Sequence, residues 1–510
     1  MSGNLYTRLR ASAPPGGTCC LRLPGGGTLD YAGLHAGSAR YAQALVDLGV
    51  EPGDRVAVQA DKGVGLLLLY LGCLRAGAVY LPLNTAYTSA ELEYFIGDAA
   101  PRVFVCAPAR LAALLPLARR LGVPHVVTLG AGTGEGSLAE RAASRPPEFI
   151  DVPRDATDLA SIVYTSGTTG RSKGAMVTHG NLASNAYALK ACWRITGSDV
   201  LLHALPMFHI HGLFIALHPV LAAGASMHLL PAFDAAEVLR LLPASTLYMG
   251  VPTHYARFLE LPGLGPEPLS GVRLFVSGSA PLDAGTHRAF AARTGHRILE
   301  RYGMSEAQVI ASNPVDGERV PGSVGMALPG VEVRIAEAES GVALPPGETG
   351  MIEVRGPNVF AGYWRMPDKT RAEFRAGGWF VTGDLGTLDA QGRLRIVGRG
   401  RDLIISGGYN VYPREVEQEL ALLPGVADAA VFGVPHPDFG EGVTAAVVLR
   451  AGVAGDEVAL VAALRERLAG YKCPKRILFI DELPRNAMGK IQKNELRARH
   501  AGLYARGPAV

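Results

Sequence analysis

One short polar segment, Tyr164–Gly174, carries the residue types that bind phosphate. It combines hydroxyl side chains and three glycines with Lys173. Glycine lets the backbone approach phosphate oxygens, hydroxyls donate hydrogen bonds, and lysine supplies positive charge. The P-loop signature GxxxxGK[ST] does not fit, because Gly167, Gly170 and Lys173 have a different spacing. We therefore predict a phosphate loop of another kind, and a flexible polar loop without function is the alternative.

The elements around this segment alternate between strands and helices. A strand, Leu159–Val163, leads directly into the segment. The first 150 residues predict helices at 31–48, 64–76 and 89–98, and strands at 55–59, 78–81, 102–106 and 126–129. Strands separated by helices of this length predict a doubly wound sheet, and a second run of the same kind spans about 158–330.

The pattern changes twice in the last third of the chain. Short alternating segments between Gly and Pro turns predict a β-rich subdomain over 331–398. Helices at 415–422 and 457–468 then alternate with strands, so 402–510 predicts a compact α+β module. The predicted fold is α/β, with a large N-terminal domain of several subdomains (1–400) and a small, mobile α+β C-terminal domain (401–510).

Composition excludes several classes of protein. Of 510 residues, 48% are hydrophobic and 19% charged, which excludes a disordered chain. Lys and Arg number 49 against 46 Asp and Glu, a balance that argues against nucleic-acid or membrane partners. The longest apolar stretch, Val64–Leu74, is about half of a membrane span. We predict a cytoplasmic enzyme that acts on small molecules, with no prediction of its oligomeric state.

Five motifs together resemble a known superfamily. They are Thr165–Gly174, Ser277–Leu282, Tyr302–Glu306, Thr382–Asp384 with Gly398-Arg399, and Pro484–Lys490. In this order they resemble the adenylate-forming superfamily of acyl-CoA synthetases, luciferases and peptide-synthetase adenylation domains. The resemblance implies that a carboxylate reacts with ATP to give acyl-AMP and pyrophosphate, after which a thiol displaces AMP. The implied cofactors are ATP, Mg²⁺ and coenzyme A.

The resemblance also implies a nucleotide site. Glu306 would hold Mg²⁺, a hard cation that prefers oxygen, and Asp384 would accept both ribose hydroxyls with Arg399 beside it. Lys490 would hold the carboxylate and the α-phosphate. The structural alternatives are a solvated loop carboxylate, a turn aspartate and a surface lysine. The predicted ATP- and AMP-binding residues are Thr165, Ser166, Gly167, Thr168, Thr169, Gly170, Lys173, Ser279, Ala280, Glu300, Tyr302, Gly303, Met304, Ser305, Asp384 and Arg399.

The second half-reaction implies a rotation of the C-terminal module about a hinge at Arg401. The rotation would replace Lys490 at the site by Ser406–Asn410, where glycines let the chain approach pantetheine. The predicted CoA-binding residues are Ser406, Gly407, Gly408 and Tyr409. A simple turn at the two glycines stays open as the alternative.

The acid substrate is predicted from Arg301, which stands where related synthetases usually have glycine. A buried unpaired guanidinium is costly beside a fatty or aryl acid, but it binds a second carboxylate bidentately. An arginine that points outward is the alternative. Segments such as Leu202–Phe214 and Arg319–Gly325 resemble malonyl-CoA synthetases, which implies that His209 lies by the reacting carboxylate with Ser279 nearby. The predicted catalytic residues are Lys490, His209 and Glu306.

The chain departs from the malonyl-CoA synthetase pattern along one wall. Ala307 replaces threonine, Val309 replaces methionine and Ile210 replaces threonine, while Ser305 keeps a hydroxyl. The predicted substrate is malonate, and methylmalonate or larger C2-substituted malonates are allowed. The predicted substrate-binding residues are His209, Ser279, Arg301, Ile210, Ala307 and Val309.

Three other functions remain open from the sequence. The first is a short- or medium-chain monocarboxylate CoA ligase, with Arg301 facing solvent. The second is an adenylation enzyme that loads a separate carrier protein. The third is a nucleotide sensor without activity, which the intact Lys490 motif argues against.

Overall fold

The computed structural model describes residues 2–132, 134–165, 172–407, 409–486 and 489–505. Its helices are α1 (Leu5–Ala11), α2 (Tyr31–Asp47), α3 (Val64–Ala76), α4 (Ser89–Ala99), α5 (Leu111–Arg120), α6 (Ser137–Ala143), α7 (His179–Cys192), α8 (Leu217–Ala223), α9 (Ala235–Leu241), α10 (Pro252–Glu260), α11 (Ala284–Thr294), α12 (Pro367–Ala372), α13 (Pro413–Ala421), α14 (Glu457–Arg465) and α15 (Lys493–Arg499).

The strands divide at about residue 330 between two large sheets and two smaller ones. Those before it are β1 (Cys19–Arg22), β2 (Thr28–Asp30), β3 (Arg55–Gln59), β4 (Val79–Pro82), β5 (Val103–Cys106), β6 (His125–Thr128), β7 (Leu159–Thr165), β8 (Lys173–Thr178), β9 (Val200–His203), β10 (Ser226–Leu229), β11 (Leu247–Gly250), β12 (Leu274–Ser277), β13 (Leu299–Met304), β14 (Gln308–Ser312) and β15 (Met326–Ala327). Those after it are β16 (Glu332–Ala336), β17 (Gly350–Arg355), β18 (Phe374–Arg375), β19 (Trp379–Leu388), β20 (Leu394–Arg399), β21 (Ile404–Ser406), β22 (Tyr409–Val411), β23 (Val426–His436), β24 (Gly440–Leu449) and β25 (Arg476–Phe479).

Two large sheets form the centre of the N-terminal part. The six-stranded sheet has the order β6-β5-β3-β4-β7-β8, and the nine-stranded sheet has the order β15-β14-β13-β12-β11-β9-β10-β1-β2. Both are parallel in the middle; the nine-stranded sheet has antiparallel strands at both edges, and the six-stranded sheet has one antiparallel edge strand, β8. The prediction of α/β sheets in a large N-terminal domain is therefore confirmed.

Local sequence explains why the helices form where they do. Nine of the thirteen α3 residues are leucine, tyrosine, valine or cysteine, and the helix is buried on almost every side between its neighbours. It ends at Gly77, whose φ of +70° closes the helix with a left-handed cap. At α4, Thr88 and Glu91 form a capping box that satisfies the first backbone N–H groups. In the described part of the chain, no helix is long and apolar enough to cross a membrane.

The predicted β-rich subdomain is the third sheet, with the order β16-β17-β19-β18 and β20 paired to β19. The fourth sheet has the order β22-β21-β24-β23, with β25 paired to β24. Between β20 and β21 the chain changes sheet through a 3₁₀ turn, Gly400–Asp402. The small α+β C-terminal domain is thus observed as predicted, while its boundary at residue 401 stays a prediction.

The predicted boundaries in the C-terminal part were less accurate than those near the N-terminus. Helix α13 begins at Pro413, two residues earlier than predicted, because proline suits the first turn of a helix. Helix α14 ends at Arg465 rather than 468. Strand β23 extends beyond the strand predicted at 429–432, since it pairs with β24 along its whole length.

Candidate active site

The carboxyl ends of neighbouring strands place most of the predicted site residues together. Strands β11, β12 and β13 run parallel, with Ser277 beside Glu300. Ser279 and Ala280 follow β12, while Arg301, Tyr302, Gly303 and Met304 lie on β13 and Ser305 follows it. The carboxyl edge of a parallel sheet is where α/β proteins bind ligands.

Asp384 is held between a phenol and a guanidinium. Its Oδ2 accepts a hydrogen bond from the Tyr302 hydroxyl at 2.6 Å, and its Oδ1 lies 2.9 Å from Arg399 Nε. Asp384 and Arg399 are direct neighbours across β19 and β20. Asp384 is only 3% exposed, and its charge raises the pKa of Arg399. Each carboxylate oxygen keeps a free lone pair, so a ribose hydroxyl can still donate to it.

Glu300 faces the boundary with the C-terminal part. Burial raises the pKa of its carboxyl to about 7, and Arg414 of α13 acts against that shift. Its Oε1 lies 3.4 Å from the backbone nitrogen of Leu282, in the segment after β12. Glu300 thus lies beside the second predicted nucleotide motif.

Glu306 is buried and its side chain has one hydroxyl partner. The Tyr363 hydroxyl lies 3.0 Å from Glu306 Oε1, and burial raises the pKa of the carboxyl. A divalent cation that arrives with phosphate oxygens would restore the negative charge of Glu306, so this residue fits a Mg²⁺ ligand. Elsewhere in the described ranges, no cluster of three or more His, Cys, Asp or Glu side chains could hold a metal.

His211 lies next to Ser279, and His209 contacts the His211 backbone. His211 Nδ1 is 3.1 Å from Ser279 Oγ, and the His211 backbone N–H donates to His209 Nδ1 at 3.2 Å. Because Nδ1 of His209 accepts this bond, a neutral His209 carries its proton on Nε2. Burial, with Arg301 and Lys490 adding positive charge, lowers the pKa of His209 to about 4. His209 is therefore neutral at pH 7 and can donate from Nε2.

Arg301 is 4% exposed, so its guanidinium does not face solvent. Its Nε and Nη2 atoms are buried without a hydrogen-bond partner among the described residues. Gly278 makes room for it, because a Cβ at this position would overlap the guanidinium. Burial, followed by the positive charge of Arg301, lowers the pKa values of both His209 and His211. An unpaired guanidinium and two neutral histidines thus share one buried region.

The three substituted wall residues do not all pack together. Ile210 and Val309 belong to the same buried apolar cluster. Ala307 belongs to a different cluster, which contains Tyr302 and Tyr363. The amide of Asn358 donates to the Ala307 carbonyl at 2.6 Å and fixes the backbone there. Ile210 and Val309 are thus both buried in the large core of the N-terminal part, while Ala307 lies on the side of the predicted nucleotide motifs.

Lys490 reaches the same region from the C-terminal part. Burial, followed by the charge of Arg399, lowers its pKa to about 8, while Asp384 acts in the opposite direction. The Lys490 backbone N–H donates to Asn486 Oδ1 at 3.0 Å, and the preceding Gly489 has a φ of +72°. A Cβ at Gly489 would lie 3.0 Å from Thr253, so Gly489 packs against the N-terminal part.

The predicted phosphate loop is only partly described. Thr165 ends β7 and Lys173 begins β8, and the two are cross-strand partners. The other predicted phosphate ligands lie outside the described residues: Ser166, Gly167, Thr168, Thr169 and Gly170.

The predicted CoA segment is a short hairpin of β21 and β22. Ser406 is buried, Gly407 is exposed with a φ of +60°, and Tyr409 is 59% exposed. Tyr409 stacks on Tyr471 with ring centroids 4.7 Å apart. Gly408 lies outside the described residues. The predicted hinge residue, Arg401, lies in the 3₁₀ turn between the third and fourth sheets.

Residues 8–364 match the family described as AMP-binding enzyme, and 415–490 match the AMP-binding enzyme C-terminal domain. The chain belongs to the AMP-binding enzyme family.

Similar proteins of this family include CoA ligases of different acids. A feruloyl-CoA synthase of Amycolatopsis sp is 40% identical over 93% of this chain and 94% of its own. A mitochondrial malonate–CoA ligase of Mus musculus is 38% identical over 91% of this chain and 86% of its own. The crystal structure of ATP-bound MatB from Rhodopseudomonas palustris is 52% identical, with a TM-score of 0.97 over 99% of this chain and 100% of that one.

The resemblance to adenylate-forming acyl-CoA synthetases is confirmed. As an AMP-binding enzyme, the protein is an AMP-forming acid–thiol ligase that works through an acyl-adenylate with ATP and CoA. The names of these relatives include both an aryl acid, ferulate, and a diacid, malonate.

Lys62, which contacts His203 near the site of this AMP-binding enzyme, is not among the residues predicted from the sequence. Lys62 is 8% exposed, and its ammonium lies 2.9 Å from His203 Nδ1 and 2.8 Å from the His203 carbonyl. His203 Nε2 donates to the carbonyl of Gly212, in the segment that follows His211. Lys62 thus supports the segment that carries the two site histidines. Its sequence signal was weak, because a lysine after a strand is usually exposed.

Proposed function

We propose that this enzyme activates malonate, and malonates with a substituent at C2, and transfers the acyl group to CoA. The supporting observation is the buried guanidinium of Arg301, with two nitrogen atoms that have no described partner. A buried cation without a counterion is strongly unfavourable, so a ligand that supplies the missing anion gains affinity. The second carboxylate of a diacid is such an anion, and it accepts two parallel hydrogen bonds from arginine.

His209 would lie at the reacting end of the diacid. Its pKa is lowered, after burial, by Arg301 and by Lys490, so it is within electrostatic reach of both cations. A malonate between them would offer one carboxylate to Arg301 and the other to Lys490. The neutral imidazole can then donate from Nε2 to the reacting carboxylate without adding a further positive charge.

Lys490 would hold the reactants together during adenylation. One carboxylate oxygen attacks the α-phosphorus of ATP, the bond to the β-phosphate oxygen breaks, and pyrophosphate leaves. The ammonium stabilises the negative charge that develops at the α-phosphate, and one well-placed donor of this kind contributes about 3–4 kcal/mol. Glu306, with the phosphate oxygens, would hold Mg²⁺, which supplies charge neutralisation when bound.

The second half-reaction would use the exposed hairpin. The CoA sulfur attacks the acyl carbon of the mixed anhydride, and AMP leaves with the electron pair of the broken bond. For this step we propose that the C-terminal part rotates at Arg401, withdraws Lys490 and brings in Ser406 and Gly407. The short 3₁₀ turn at Gly400–Asp402 offers a few residues in which the backbone change can occur.

Ile210 and Val309 would set the tolerance for C2 substituents. Val309 is smaller than methionine and Ile210 is larger than threonine, and both belong to one buried cluster. The space that the smaller Val309 adds to the acid pocket would be partly offset by the larger Ile210. We therefore propose malonate as the main substrate and methylmalonate as an accepted one.

A panel of acids assayed by pyrophosphate release tests this function. We expect kcat/KM for malonate to exceed that for acetate, butyrate and ferulate by more than a hundredfold, because leaving a buried charge unpaired costs about 3–5 kcal/mol. Arg301→Ala should remove this preference. Arg297→Ala, which changes an exposed arginine of the same region, should keep it. Equal kcat/KM for butyrate and malonate, or unchanged selectivity in Arg301→Ala, would contradict the proposal.

A further inference from the structure

The phosphate-loop lysine is engaged by a carboxylate that no predicted motif contains. Lys173 Nζ lies 3.1 Å from Glu373 Oε1 and 4.2 Å from the centre of the Tyr363 ring. Glu373 immediately follows α12, 200 residues away in sequence. Both side chains of the pair are 19% exposed. A pair this shielded from water is screened less than a surface ion pair.

Glu373 has a second cation and a hydroxyl as partners. Lys369 Nζ lies 2.9 Å from the same Oε1 atom that contacts Lys173. The Tyr363 hydroxyl donates to Glu373 Oε2 at 2.7 Å. If Lys173 moved away, Glu373 would therefore keep one positive partner and one hydrogen bond. The carboxylate would not be left as an uncompensated charge.

Tyr363 links this carboxylate to the predicted Mg²⁺ ligand. Its oxygen is 2.7 Å from Glu373 and 3.0 Å from Glu306 Oε1. A phenol has a single hydrogen, so it can donate to one of the two carboxylates at a time. The arrangement connects Lys173, Glu373, Tyr363 and Glu306 in one contiguous polar network.

A triphosphate must compete with Glu373 for Lys173. Lysine is a compact charge on a flexible four-carbon stem, so a modest rotation can transfer its ammonium from a carboxylate to a phosphate oxygen. The free energy of breaking the Lys173–Glu373 pair then opposes nucleotide and pyrophosphate binding.

We propose that Glu373 is a positioning residue that holds Lys173 in the nucleotide-free enzyme and releases it to the phosphates of ATP, with Lys369 neutralising Glu373 after the exchange. This inference rests on the use of ATP and is independent of the acid that the enzyme activates. The same exchange in reverse favours release of pyrophosphate, because Glu373 recaptures Lys173.

The first test measures the affinity of inorganic pyrophosphate by calorimetry in the full chain. Glu373→Gln keeps the size of the side chain but removes its charge, so Lys173 loses its competing partner. We expect the Kd for pyrophosphate and for ATP to fall about fivefold, and the Kd for adenosine to stay unchanged. The matched control is Asp368→Asn, which removes a charge from an exposed side chain of α12. An equal increase in pyrophosphate affinity in Asp368→Asn would show that the loss of any negative charge on α12 is sufficient, and it would overturn the proposal.

In the second test, pyrophosphate binding is expected to weaken rather than tighten. Lys369→Met removes the cation that remains with Glu373 after the exchange, so Lys173 becomes harder to release and pyrophosphate binding weakens by a similar factor. Arg371→Met removes a positive charge from the same helix, but the Arg371 guanidinium pairs with Asp368 rather than with the Glu373 carboxylate, so this variant should change the Kd less than twofold. Equal losses in Lys369→Met and Arg371→Met would overturn the proposal.

A double-mutant cycle tests whether the effect of Glu373→Gln on pyrophosphate affinity requires Lys173 or reflects a change in the stability of the fold. In a Lys173→Met background, Glu373→Gln should no longer tighten pyrophosphate binding, because the exchanged cation is absent. The thermal transition of each variant is recorded in parallel. The proposal would be overturned if Glu373→Gln still tightened pyrophosphate binding in the Lys173→Met background. It would also be overturned if folded Glu373→Gln, with Lys173 present, bound pyrophosphate no more tightly than the wild type.

Discussion

Tyr302 donates its phenolic hydrogen to Asp384 at 2.6 Å, across 82 residues of sequence. The contact joins the end of β13 in the nine-stranded sheet to β19 in the third sheet. Arg399 occupies the other oxygen of the same carboxylate at 2.9 Å. The carboxylate is therefore fixed in orientation before any nucleotide arrives, which would lower the entropy cost of binding ribose if Asp384 has the proposed role.

Asp384→Asn should weaken AMP binding by at least tenfold. The amide keeps one acceptor oxygen, but it loses the charge that pairs with Arg399 and accepts from ribose hydroxyls. Calorimetric titration with AMP measures the effect. Asp389→Asn, a change in a more exposed carboxylate that pairs with Arg393 near the end of β19, is the control and should leave AMP affinity intact. Retained affinity in Asp384→Asn would exclude the ribose role.

The pH dependence of adenylation should report Lys490. Burial lowers its pKa from 10.5 to about 8, so the free enzyme loses this proton as the pH rises through about 8. In the proposed mechanism the ammonium is the form that stabilises the α-phosphate, so kcat/KM for pyrophosphate release should fall above pH 8. Lys490→Arg, which stays protonated, should lower activity but remove this decline. A wild-type profile that is flat to pH 10 would contradict the assignment.

Arg301→Met should separate stability from function. Methionine fills much of the volume of arginine and removes a buried charge that has no described counterion. We expect the apparent Tm without ligand to rise, since such replacements are often stabilising by about 1–4 kcal/mol, while kcat/KM for malonate falls more than a hundredfold. Differential scanning calorimetry and the pyrophosphate assay measure the two effects. A lower Tm would indicate that the guanidinium has a structural partner.

Gly278→Ala should displace the Arg301 guanidinium from its position. The new Cβ would overlap the guanidinium, so the arginine must move and KM for malonate should rise at least tenfold. The Kd for AMP should rise much less than KM for malonate, because the contact between Tyr302 and Asp384 is untouched. Gly265→Ala is the matched control, since a Cβ there meets nothing within 4 Å. An unchanged KM for malonate in Gly278→Ala would place the acid elsewhere.

Much of the fold could be predicted because its signals are local. Strand Arg55–Gln59 and helix Val64–Ala76 were predicted with their observed bounds. Apolar periodicity, turns and caps act within one or two turns of chain, so they are readable without contacts. The sequence motifs likewise identified Asp384, Arg399 and Lys490 as residues of the predicted site.

The sequence by itself determined the family, the alternation of strands and helices, and the residues of the nucleotide motifs. Only the tertiary structure decided that Arg301 is buried, that Lys62 supports His203, and that Glu373 holds Lys173. These contacts join residues from different sheets or distant parts of the chain. Their energies depend on burial and distance, which arise from sheet packing and leave no periodic mark in the sequence.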